Sequence, residues 1–140
     1  KSKKSKIMLK GFEEQTHNLT DYELREILPI VVRGFNKKSG KENSITNPEI
    51  CKALTEYYGL DKISEPIVRK IIYYIRQKNL VPRLIATSKG YWVATSKQEL
   101  EDWKETILGR INAMQETLNY AVVQIEEWDK PQKQKQQSLF

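Results

Sequence analysis

Cysteine and histidine are nearly missing from this sequence, with one of each in 140 residues. Cys51 has no second cysteine for an internal disulfide, and Cys51 with His17 falls short of a zinc ligand set. Long apolar runs are also missing. Nothing approaches the roughly 18 consecutive apolar residues of a membrane span, so no membrane partner is expected. Residues 1–10, "KSKKSKIMLK", are basic but lack the apolar stretch of a secretory signal. A reducing cytoplasm is the expected compartment. There is no glycine-rich phosphate loop, because "GKEN" has no upstream glycine at the Walker spacing. His17 stands alone in a polar lead-in. Glu99, Asp102 and Glu105 recur at i, i+3 but have neither a histidine nor an acid from another element beside them, and read as a solvated face. No catalytic residue, metal or cofactor is therefore expected, and the chain reads as a non-enzyme.

What is present is charge, unevenly placed. Residues 1–10 carry five lysines and no acid. Residues 18–97 carry 14 Lys/Arg against 8 Asp/Glu, a balance of +6. Residues 98–128 reverse this, with seven acids against Lys104 and Arg110, a balance of −5. A basic front and an acidic rear point to a nucleic-acid surface on the front part.

Four helix starts are legible. "TDYE" (Thr20 to Glu23), "TNPE" (Thr46 to Glu49) and "SKQE" (Ser96 to Glu99) are capping boxes, and "SEP" (Ser64 to Pro66) is an N-cap with a first-turn proline. The first helix is expected over 21–38, with Leu24, Ile27, Leu28, Val31 and Phe35 on one face, and Pro29 kinking or splitting it. "SIT" at 44–46 offers one short strand. The second helix is expected over 47–58, with Cys51 as a small core residue rather than a nucleophile, and Gly59 closing it. The third is expected over 65–78, with Val68, Ile71, Ile72 and Ile75 inward and Pro66, Arg69, Lys70, Tyr73, Tyr74 and Gln77 on the opposite face. "RLIAT" and "YWVAT" read as a hairpin around "SKG". The last helix is expected over 97–128. Ile107, Ile111, Met114, Leu118, Ala121, Ile125 and Trp128 form a heptad seam, which either pairs with a second copy, the homodimer being favoured, or packs back on its own domain.

This gives a mainly α fold with a small β-hairpin. The order is that of a winged helix–turn–helix followed by a long C-terminal helix. The expected layout is a basic arm (1–17), a winged-helix DNA-binding domain (18–96), a coiled-coil dimerisation helix (97–128) and a flexible tail (129–140). In such a domain the third helix enters the major groove and the wing tip reaches phosphate or the minor groove. Arg69 then suits guanine and Gln77 adenine, while Lys70 and Tyr73 suit phosphates. Ser64 at the helix start, Lys89 at the wing tip, and Lys78 and Arg83 beside the hairpin complete the expected DNA contacts. Trp92 and one of the two adjacent tyrosines, Tyr74, are expected to pack rather than to stack on bases.

The stretch "GKENSITNPEI … VRKIIYYIRQKNLVPRLIATSKGYWVAT" resembles small winged-helix proteins of bacteriophages and prophages, over about residues 19–110, most specifically in "GKEN" and "IATSKGYWVA". That resemblance implies a DNA-binding, phage-type role and fixes no activity. The tail "QQSLF" resembles the bacterial sliding-clamp-binding motif (Gln, Leu, Ser or Asp, Leu, Phe). Gln136, Ser138, Leu139 and Phe140 match, and Gln137 stands where Leu is usual. The resemblance implies the sliding clamp, the DNA polymerase III beta subunit, as a partner. Leu139 and Phe140 would fill an apolar cleft while Gln136 hydrogen-bonds at its edge. The expected function is a phage replication-associated adaptor. A dimeric transcriptional regulator and a protein-interaction module acting on a host complex remain open beside it. DNA sequence, strand preference and the parallel or antiparallel sense of the dimer also stay open.

Overall fold

A computed structural model describes residues 18–131. The basic arm with His17 and the tail motif of Gln136, Ser138, Leu139 and Phe140 lie outside the described residues. The chain forms two compact units, divided between Leu100 and Glu101. It is mainly helical, with one two-stranded antiparallel hairpin and a long C-terminal helix. Among the described residues, no helix is long and apolar enough to cross a membrane.

The first unit starts where the sequence signals it. Thr20 and Glu23 close the expected capping box: the Thr20 N–H donates to Glu23 Oε1 at 2.9 Å and the Glu23 N–H to Thr20 Oγ1 at 3.1 Å. The chain then makes a π-helical turn (Glu23–Ile27) before helix α1 (Leu28–Phe35). Pro29, at the start of α1, explains this turn. Its ring cannot donate a hydrogen bond and crowds the preceding turn, and widening that turn by one residue lets the axis continue. The expected kink is therefore absorbed as a π turn.

Helix α2 (Asn47–Lys52) carries the complete Thr46/Glu49 box with Pro48 in its first turn. It runs into a second π turn (Ala53–Tyr57), which ends at Gly59 with φ +66. Helix α3 (Glu65–Gln77) is capped by Ser64 and buries Val68, Ile71, Ile72 and Ile75. These four meet Ile27, Val31 and Phe35 of the first helical stretch and Ile50 and Leu54 of the second in one core. Phe35 meets Tyr91 edge-on at 6.0 Å.

Strands β1 (Leu84–Thr87) and β2 (Gly90–Val93) pair antiparallel, with Leu84 opposite Val93 and Thr87 opposite Gly90. The expected "SIT" strand is a single-residue bridge, Ile45 to Tyr91, and Ser39 makes a second bridge to Val93. Gly90 is required here. Its φ is +139, and an added Cβ would lie 3.1 Å from the Ile45 carbonyl oxygen.

Trp92 is buried, as expected, and its indole N–H donates to Glu99 Oε1 at 3.1 Å. Glu99 also accepts the Thr95 hydroxyl at 2.8 Å and the Thr95 backbone N–H at 3.3 Å. These bonds, the Thr95 hydroxyl first and Trp92 next, hold the Glu99 carboxyl below its ordinary value of 4.5. The folded form thus favours the carboxylate. Its contribution to stability is present above pH 4.5 and is lost as the pH falls through 4.5 toward the folded value. Thermal melts over about pH 6 to 3 should show the natural protein losing more stability than Glu99→Gln. Parallel losses would mean that these bonds do not distinguish the ionised form.

From Glu101 onward, helix α4 (Lys97–Trp128) makes up most of the described part of the second unit. The Glu99 N–H donates to Ser96 Oγ at 3.3 Å, so Ser96 caps the helix, while the returning bond from Glu99 goes to Thr95 rather than Ser96. None of the 32 residues of α4 is buried.

Candidate nucleic-acid interface

The start of α3 is held from several sides. Ser64 adopts an extended conformation and its Oγ accepts the Ile67 N–H at 3.4 Å. Asn47 at the start of α2 donates its side-chain amide to the Glu65 carbonyl at 3.2 Å, tying the two helix starts together. The turn between them is pinned to the first helical stretch. Tyr22 donates its hydroxyl to the Asp61 carbonyl at 2.7 Å and accepts the Asp61 N–H at 3.0 Å. The Lys62 ammonium lies 5.9 Å from the Tyr22 ring centre. The orientation of α3 therefore follows from its apolar face and from these contacts at its first turn.

The outward residues of α3 divide into two groups. Arg69 is exposed, and its 3.9 Å contact with Glu65 is a solvated i, i+4 pair that leaves the guanidinium available. Gln77 is exposed. Tyr73 is half-buried, with the Arg76 guanidinium 6.0 Å from its ring centre. Tyr74 is also half-buried, and the exposed Lys78 sits 5.8 Å from its ring centre.

Lys70 departs from the expectation that it faces away from the core. Its ammonium makes a 2.9 Å ion pair with Glu23, a carboxylate whose side chain is 7% exposed. The reason is geometric: the capping glutamate of the first helical stretch lies against α3, and burying its charge requires a cation. Lys70 thus joins two helices, and its charge is already matched.

Arg76 was not singled out from the sequence, yet it is exposed and follows Arg69 at i+7. Arg69, Tyr73, Arg76 and Gln77 recur at i, i+4, i+7 and i+8, the spacing of one helix flank. That spacing was readable beforehand.

The remaining candidates lie on the hairpin. Lys89 sits in the two-residue turn between the strands and is exposed. Its N–H donates to Thr87 Oγ1 at 3.0 Å, and that hydroxyl donates to the Gly90 carbonyl at 3.1 Å, so the turn is closed by its own side chain. Arg83 is exposed and holds φ +68, a left-handed conformation costing a non-glycine residue about 1–2 kcal/mol. Its carbonyl accepts the Ala94 N–H at 2.9 Å, and Val81, two residues before it, is buried; both hold the turn in place.

Burial, and then the charge of Glu65, push the Cys51 thiol up from its ordinary value, which keeps it in the unreactive form. Cys51 Sγ donates to Asn47 Oδ1 at 3.4 Å. Among the described residues, no group of three or more His, Cys, Asp or Glu is placed to hold a metal ion. Compared with protein-family models, with curated proteins and with solved structures, the chain has no match.

Proposed function

We propose that residues 18–96 form a winged helix–turn–helix that binds duplex DNA without catalysing a reaction on it. One observation carries the reading: a helix fixed at its first turn presents Arg69, Arg76 and Gln77 to solvent and is followed by a closed hairpin with Lys89 at its tip. Arg69 and Gln77 take base edges, Arg76 and Tyr73 take base edges or phosphate, and Ser64, Lys78, Arg83 and Lys89 take phosphates. Lys70 supports α3 from behind. The chain acts as a homodimer through α4, and the tail residues Gln136, Ser138, Leu139 and Phe140 tether it to the bacterial sliding clamp. Such a protein, of phage or prophage type, joins DNA at a replication site to the clamp.

Two measurements test this. Gel shifts at several salt concentrations separate the DNA roles. A steep salt dependence with no preferred sequence supports the replication adaptor, whereas one preferred palindrome moves the reading to a transcriptional regulator. No DNA binding at all would leave a protein-interaction module. Deleting Leu139 and Phe140 should abolish capture by purified clamp, since each side chain supplies roughly 1.5–3 kcal/mol on full burial. Undiminished capture would remove the tether from the proposal.

A further inference from the structure

Among the described residues, the second unit carries an apolar surface that is exposed. Ile111, Met114, Leu118, Ile125 and Trp128 are all exposed, Trp128 at 81%. With Ile107 and Ala121 they follow the 4, 3 spacing that keeps one seam of a helix against a second helix. The positions flanking the seam are Leu108, Gln115 and Val122 on one side and Arg110, Thr117 and Gln124 on the other. Arg110 is the one charge among them, and Glu116, Glu126 and Glu127 point elsewhere. Two copies of this helix therefore meet without opposing like charges, which makes a second copy the fitting occupant.

The side-chain volumes also fix the sense of pairing. In a parallel pair every seam residue faces itself. Ala121 would then face Ala121 and leave a void, while Trp128 would face Trp128 and crowd the same seam one heptad later. In an antiparallel pair the two kinds of seam position face each other. One register sets Ile111 against Trp128 of the partner subunit, Met114 against Ile125 of the partner subunit, and Leu118 against Ala121 of the partner subunit. Small residues then meet large ones, and every seam position from Ile111 to Trp128 has a counterpart. We infer that α4 pairs antiparallel with α4 of a second copy, in the register that sets Leu118 against Ala121. This rests on the homodimer proposed above and gives it a direction. Each DNA-binding unit is joined to the N-terminal end of its helix, so the two are attached at opposite ends of the pair. At 1.5 Å per residue the two Glu101 positions stand about 55 Å apart along the axis.

The test uses the full chain with Cys51→Ser and a spin label at Glu105→Cys, an exposed position off the seam. Antiparallel pairing predicts a label separation of about 45 Å. A separation of about 20 Å or less means parallel pairing and overturns the inference while leaving the dimer intact. A monomer by sedimentation at labelling concentration overturns both. As a check on register, mixing Leu118→Cys with Ala121→Cys chains should give a disulfide-linked pair faster than Ala121→Cys chains alone. The reverse order would overturn the register.

Discussion

Replacing Arg69 and Arg76 together with alanine should lower affinity for duplex DNA by about one to three orders of magnitude at physiological salt. Each arginine that reaches a phosphate or a guanine edge contributes charge-assisted hydrogen bonds, and each phosphate contact releases about one counterion. If both contact phosphate, the slope of log affinity against log salt should fall by about 2. The fold should survive. Both side chains are exposed on α3, alanine is as good a helix former as arginine, and the 3.9 Å Glu65 pair lost with Arg69 is solvated. Arg25 and Arg33, exposed on the first helical stretch, supply the control: their alanine variants lose charge without touching α3 and should bind within about a factor of three of the natural protein. Equal losses from both pairs would mean that general charge, not the α3 flank, governs binding. No loss from either would leave α3 without a role in DNA contact.

Lys70→Ala should instead lower stability by about 2–4 kcal/mol, somewhat less than the roughly 3–5 kcal/mol that breaking a fully buried pair costs, because Lys70 is partly exposed. The variant leaves the Glu23 carboxylate buried with, among the described residues, the Thr20 N–H as its remaining bonded donor. Glu23→Gln should cost less, about 1–2 kcal/mol, since the amide keeps the shape and the freed ammonium can turn toward water. The asymmetry is the informative result. A surface phosphate ligand would give the opposite pattern, with little change in denaturation midpoint and a clear loss of DNA affinity. Urea titration of both variants, followed by DNA binding under conditions where Lys70→Ala is fully folded, separates the two roles. A stable Lys70→Ala protein with weakened DNA binding would return Lys70 to the interface.

Lys70 also marks where sequence reasoning reaches its limit. The capping boxes, the apolar stripe of α3 and the hairpin were legible because each depends on residues within a few positions of one another. Thr20 with Glu23 and Thr46 with Glu49 formed as the local chemistry dictates. The partner of Lys70 lies 47 positions away, and no periodicity in α3 announces it. The π turns were equally hidden. Pro29 signals a disturbance, but whether the helix bends, breaks or widens depends on what packs against it. No residue type announces the turn over 53–57, where the widened helix reaches Gly59 and exposes Tyr57. Arg76 is a different case, since its i, i+7 spacing from Arg69 lies within the sequence itself.

The bridges on the outer side of β2 have a mechanical consequence. Gly40 donates to the Val93 carbonyl at 2.9 Å, Val93 to the Lys38 carbonyl at 2.8 Å, and Ile45 and Tyr91 exchange bonds at 3.0 and 2.8 Å. β2 is thereby hydrogen-bonded along both sides, by β1 and by the segment ahead of α2. Among the described residues the hairpin's unpaired edge belongs to β1 and is four residues long, which offers little to a strand from another chain. A hairpin anchored in this way behaves as a cantilever rather than a whip. Its tip retains the freedom of the Lys89 side chain and gives up most of the backbone's. The backbone's share of the entropy of positioning that cation was lost when the domain folded, so what is left to lose when a ligand arrives is that of the side chain itself.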